Sequence, residues 1–211
     1  MTSTLFLFAS QAEAKPALDA CKAKHVDGEY IDVWDEGRVP SLYQCDKGWI
    51  GISGIGTYAA QHLVSKLAKE ISEVWNLGIA GSLRPLHNLG LLKRIAVVGK
   101  YIPLRETLDP KSLECVYGTI PNLSLYPATH GISLISSDFP LHQEHLRDEL
   151  AKEWDLIDME GYGVAYAAHR FGKPCFLWKI VSDFASAEGR ALIRKHKQKW
   201  SERLAEIVIN S

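Results

Sequence analysis

The chain lacks any bias of charge: 24 lysines and arginines stand against 25 aspartates and glutamates in 211 residues, a net charge of −1. That balance excludes the electrostatic footprint by which proteins hold nucleic acid or an anionic membrane, and neither is expected as a partner. No apolar run approaches the roughly 20 residues needed to span a bilayer. Cysteine is scarce. The four, at 21, 45, 115 and 175, stand far apart and form no Cys-x-x-Cys. That spacing argues against a zinc site and fits a reducing compartment, so a cytoplasmic location is expected. There is no repeat, low-complexity tract or linker. Thr4-Leu-Phe-Leu-Phe-Ala-Ser-Gln-Ala-Glu-Ala14 carries Ala-x-Ala spacing, but no basic residue precedes its apolar run, which is too short for a secretory leader. It reads as a buried first strand, Leu5 to Ala9.

What is present is alternation. Nearly continuous apolar runs at 4–9, 48–53, 73–79, 94–98, 132–136 and 174–181 predict strands covered on both faces. Helical patterns lie between them at 57–70, 141–152, 160–171 and 187–208. The expected fold is α/β: a single domain over residues 1–211, a three-layer α/β/α sandwich with a central mixed, mostly buried sheet. Ligands of such sheets bind at the carboxyl ends of strands. The residues following each run are therefore the candidates.

The first run is followed by Ser10-Gln-Ala-Glu13, and the second ends in Ser53-Gly54-Ile55-Gly56. The latter has neither the dinucleotide fingerprint order nor the lysine of a phosphate loop. Next come Asn76-Leu-Gly-Ile79-Ala-Gly81, then Asp158-Met159-Glu160 before a helix of small residues, and Ser182-Asp183 at the end of the last run. Each acid alone reads equally as a helix cap. Acids at the ends of several strands of one sheet converge, and so form a constellation. His142 and His145 suggest no third ligand, and no metal is expected. The five basic residues between Arg190 and Lys199 read as a solvated helix face.

In this order the segments resemble the purine nucleoside phosphorylase/hydrolase superfamily, and within it the 5′-methylthioadenosine/S-adenosylhomocysteine nucleosidase group. The resemblance runs from residue 5 to about 208. It implies that Glu13 activates water, that Met159 and Glu160 line the ribose, and that Asp183 protonates N7 of the purine. Phe139 resembles the aromatic residue against which the base stacks, although the local spacing is one residue short. Ser182, Gly54 and Ile79 fall at positions that line the substrate. Gly78-Ile79-Ala80-Gly81 departs from the group's Gly-Ser-Ala-Gly and looks more like the futalosine hydrolase branch of menaquinone synthesis. Lys179 stands where relatives commonly have arginine. A homodimer without cofactor is implied.

The chemistry agrees with those roles. Cleaving a ribosyl–purine bond makes an oxocarbenium-like sugar and a purine anion. The leaving base needs an acid, the opposite face a base for water, and the sugar cation a nearby carboxylate. A phosphorylase would surround its anionic nucleophile with cations, whereas Glu13 suits neutral water. Four readings stay open: hydrolysis of a futalosine or aminodeoxyfutalosine type nucleoside, of methylthioadenosine or adenosylhomocysteine, phosphorolysis, and non-catalytic nucleoside binding. A carboxylated 5′ group would want a cation, for which Arg84 and Arg105 are candidates.

Overall fold

A computed structural model describes residues 3–26, 40–85, 87–103, 121–125 and 131–211. Among them are ten strands: β1 Ser3–Phe8, β2 Lys24–His25, β3 Ser41–Cys45, β4 Gly48–Ile52, β5 Ile71–Ser82, β6 Leu92–Lys100, β7 Leu123–Ser124, β8 Ile132–Ser136, β9 Leu156–Asp158 and β10 Cys175–Asp183. The helices are α1 Gln11–Ala20, α2 Thr57–Lys66, α3 Glu144–Leu150, α4 Gly161–Arg170 and α5 Gly189–Ile209. All ten strands join one mixed sheet.

The first strand shows why its run is apolar throughout. Leu5, Phe6, Leu7 and Phe8 are each at most 1% exposed. Alternate side chains point to opposite faces. Leu5 and Leu7 enter a core completed by Leu63 and Val64 of α2 and Val164 and Ala168 of α4. Phe6 and Phe8 enter a second core with Ala14 and Ala17 of α1 and Trp200 and Leu204 of α5. Helices thus cover both faces, giving the expected three layers.

The long strand β5 organises the sheet. On one side β10 runs parallel to it from Val74 to Gly81. On its other edge β1 is paired only as far as Asn76, and β9 takes over antiparallel at Gly81. Because β10 also pairs with β6, β6 with β8 and β8 with β9, these five strands close on one another. Between Asn76 and Gly81 the edge of β5 passes from one partner to another. The strands diverge there, which opens a crevice at the carboxyl ends of β1, β4, β9 and β10.

Several details differ from expectation. The helix expected at 141–152 spans only Glu144–Leu150, because Leu141 is instead buried against the cluster of Trp154 and Ile157. The strands β2, β3 and β7 carry no continuous apolar run and give no such signal. Cys21 and Cys45, 24 residues apart in sequence, are neighbours in space; burial and the adjacent Cys45 push the Cys21 thiol up to about 11. No helix among the described residues is long and apolar enough to cross a membrane.

The thin face of α4 sets the distance to α2. A Cβ on Gly163 would stand 1.9 Å from the Thr57 carbonyl oxygen. Gly163→Ala must therefore push the two helices apart. It is expected to lower the unfolding free energy by about 1–3 kcal/mol or more, read from the urea midpoint.

Candidate active site

The crevice holds a cavity of about 420 Å³ whose wall includes Glu13, Ile79, Phe139, Met159, Glu160, Ser182 and Asp183. Residues from the ends of β1, β5, β8, β9 and β10 thus meet in one space. Gly54 does not reach the wall; its neighbour Ile55 does.

Glu13 lies in the first turn of α1 and serves two purposes. It completes a capping box: Glu13 Oε2 accepts from Ser10 N–H at 3.0 Å and from Ser10 Oγ at 2.8 Å. Its other oxygen turns inward, lying 3.7 Å from where a Cβ on Gly78 would be. The cap holds the carboxylate still while one oxygen faces the cavity. Burial raises its pKa, against the Ser10 hydrogen bonds and the charges of Lys179 and Lys197.

Glu160 follows β9 and precedes α4. Its Oε1 accepts from the Gly56 N–H at 3.0 Å. Gly56, at φ 115°, occupies a conformation that side chains disfavour, and this aims its N–H at the carboxylate. The glycine turn therefore works as a backbone wall. Burial, with the charges of Asp158 and Glu13, pushes Glu160 up to about 8, although Lys179 and the Gly56 N–H oppose the rise.

Asp183 ends β10. Ala185 N–H donates to its Oδ1 at 2.7 Å, and Ser182 Oγ lies 2.6 Å from Oδ2 and 3.2 Å from the Ala80 carbonyl. Gly81 and Gly189 flank it so closely that a Cβ on either would lie 3.1 or 2.9 Å from Oδ1. Phe139, 40% exposed, presents its ring at the cavity edge, 6.0 Å from Tyr101 in an edge-on pair.

Two residues had no assigned role in the sequence reading. Lys179, 1% exposed, donates to Asn76 Oδ1 at 2.6 Å and pairs with Asp158 Oδ2 at 2.8 Å. Asp158 also accepts from Gly161 N–H at 2.9 Å and from Ser136 Oγ at 2.5 Å. Ser136 Oγ accepts in turn from Tyr162 N–H. Asp158 therefore fixes the start of α4, and with it Met159 and Glu160. The lysine within an apolar strand was the available signal. Its charge also reaches Glu13, although Asp158 offsets it.

Of the cations expected for a 5′ group, Arg84 faces away: it donates from Nε to the Ala151 carbonyl at 2.8 Å and pairs with Asp155 at 3.4 Å. Arg105 lies outside the described residues. The five basic residues of α5 are all exposed, as expected, and two of them, Arg190 and Lys197, also border the cavity. No group of three or more His, Cys, Asp or Glu among the described residues is placed to hold a metal ion.

Two outcomes follow from this electrostatics. Glu160 holds its proton in the folded chain up to about pH 8 but releases it near its ordinary value of 4.5 when unfolded. Its contribution to stability is thus fully present below pH 4.5 and lost as pH rises through 8. Between pH 5 and 8 the urea midpoint of the wild type is expected to fall more steeply than that of Glu160→Gln. Lys179→Met leaves Asp158 buried without its partner and is expected to cost about 3–5 kcal/mol. Adding Asp158→Asn recovers part of that loss in the same denaturation measurement.

No curated protein matches the chain by sequence. Among solved structures, the fold is similar to that of 5′-methylthioadenosine/S-adenosylhomocysteine nucleosidase from Helicobacter pylori, with TM-score 0.80, 17% identity and coverage of 100% of this chain and 97% of that one. It is similar to futalosine hydrolase of Helicobacter pylori, with TM-score 0.78, 18% identity and coverage of 98% and 95%. The nucleosidase of Neisseria meningitidis gives TM-score 0.76 at 16% identity, covering 99% and 97%. Residues 98–211 match the family model of the phosphorylase superfamily, and with more than half its length inside that match the chain belongs to this superfamily.

Proposed function

We propose that the chain hydrolyses the N-glycosidic bond of a 5′-substituted purine nucleoside and releases the free base. The observation that carries this reading is the meeting of Glu13, Glu160 and Asp183 in one cavity. The solved structures of similar fold include nucleosidases and a hydrolase of such nucleosides. Residues 1–211 act as one nucleosidase domain, as a homodimer and without cofactor.

In this mechanism the purine lies between Phe139 and Asp183, and the ribose lies against Met159 and Glu160. Asp183 delivers a proton to N7 as the bond to C1′ lengthens. The Ser182 hydroxyl, donating to Oδ2, and the Ala185 N–H, donating to Oδ1, hold the Asp183 carboxyl in place. Glu13, held by its cap, removes a proton from water attacking the opposite face. Ribose hydroxyls donating to Glu160 favour its ionised form over the protonated form that burial favours, and that carboxylate stabilises the cationic sugar.

The finer reading is a substrate of the futalosine or aminodeoxyfutalosine type, as in menaquinone synthesis. It is supported by Ile79, which stands in the cavity wall where the methylthioadenosine group has serine. Hydrolysis of methylthioadenosine or adenosylhomocysteine is the alternative. Phosphorolysis also stays in view, because the charges of Lys179 and Lys197 act on Glu13.

Base release measured by chromatography from all four nucleosides, with and without phosphate, is the test. Phosphate-independent release from one of them is expected. A strict phosphate requirement removes hydrolysis, and release from the thio-nucleosides alone removes the futalosine type. Asp183→Asn and Glu13→Gln are each expected to lose about 10²–10⁴ in turnover while still binding nucleoside in calorimetry. Normal turnover in either variant removes that residue from the mechanism, and binding without turnover in the wild type favours a nucleoside-binding module.

A further inference from the structure

The helix α5 runs the length of the cavity. It begins at Gly189, whose Cα abuts Asp183, and its wall-lining residues are Arg190, Ile193, Lys197, Trp200 and Ser201. Steps of three and four residues along a helix place side chains on one face, so this is one continuous stripe. Arg190 and Lys197 lie seven residues apart, roughly 10 Å along the axis, with Ile193 between them. Arg190 also borders a second cavity, with His142 and Ala187, that continues the first outward.

Other cations near the site are occupied. Lys179 is paired with Asp158, Lys100 with Asp138 and Arg84 with Asp155. Neither Arg190 nor Lys197 makes a side-chain ion pair among the described residues. Lys197 nevertheless lies close enough to Glu13 for its charge to oppose the rise in that group's pKa. Two uncommitted cations therefore line a cavity whose floor carries the acids Glu13, Asp158, Glu160 and Asp183. A neutral ligand needs neither cation. An anionic group on the ligand would be repelled by the floor and drawn to the α5 wall.

We infer that Arg190 and Lys197 form a subsite on α5 for an anionic group carried at the 5′ end of the nucleoside. The assignment rests on the nucleosidase reading above, which sets the orientation. In a β-nucleoside the base and the 5′ carbon project from the same face of the ribose. The wall beside the base acid Asp183 therefore also borders the 5′ arm. Ile193 and Trp200 supply apolar contact for the arm, and the cations receive its charge. The chemistry is shared by a carboxylate on a longer arm and a phosphate on the 5′ oxygen. Arg190 offers a planar fork to either.

The test compares three nucleosides, each in adenine and hypoxanthine forms: a 5′-deoxy-5′-(carboxyalkylthio) nucleoside, its methyl ester, and the nucleoside 5′-monophosphate. The quantity read is the acid-to-ester ratio of kcat/KM, which cancels effects common to both substrates, including any change at Glu13. The wild type is expected to favour the acid by roughly tenfold, the scale of a charge-assisted hydrogen bond. Arg190→Ala and Lys197→Ala each lower the ratio, and the double variant brings it to about one. Preference for the monophosphate over both thio-nucleosides keeps the subsite and makes phosphate its ligand. No acid preference in the wild type, or an undiminished one in the double variant, overturns the inference. If no base is released from any substrate, the nucleosidase reading fails separately. The same acid-to-ester comparison of Kd by calorimetry then decides the subsite.

Discussion

A single buried ammonium group ties the centre of this protein together. Lys179 Nζ, projecting from β10, reaches Asn76 on β5 and Asp158 on β9. A lysine within a 1%-exposed strand position is costly unless its charge is matched and its protons are received. Asp158 provides the match. The same carboxylate then accepts the first N–H of α4 and the Ser136 hydroxyl. Four strands and a helix thus share one charge pair. Met159 and Glu160, on the two residues between that pair and the helix, have little freedom left.

The placement of carboxylates follows from this anchor and from small residues around it. Gly78 leaves room for Lys179 and Glu13 to approach the same point of β5, and Gly81 and Gly189 leave room for Asp183. Gly163 brings α4 onto α2, and Gly56, at the start of α2, brings a backbone N–H to Glu160. Glycine here serves proximity rather than flexibility. Burial raises the proton affinity of Glu13, and burial beside the charges of Asp158 and Glu13 raises that of Glu160. Clustered acids with perturbed affinity in a cavity are the usual mark of acid–base chemistry rather than of passive binding.

The stripe on α5 shows how one helix can serve two environments. Leu204 and Val208 are buried against the sheet and α1, Arg190, Ile193 and Lys197 border the cavity, and Trp200 does both. The helix is core-facing toward its end and cavity-facing toward its start, because the sheet beneath it splits at the crevice.

The alternation of runs by itself determined the layers. Four consecutive apolar residues from Leu5 to Phe8 can be satisfied only by cover on both faces. Acids directly after strands determined which side chains could meet, since strand ends of one sheet converge; Glu13, Glu160 and Asp183 were legible on that ground. Lys179 was visible as an anomaly, but its partner was not, because Asp158 lies 21 residues away and pairing across strands depends on register. The basic residues of α5 are solvated as their pattern suggested, but that Arg190 and Lys197 also border the cavity was not visible, for a related reason. Periodicity tells which residues share a face of a helix, but not whether that face meets water or a cavity. Only the tertiary structure decided that, when β5 passed its edge from β1 to β9 and left a space beneath the helix.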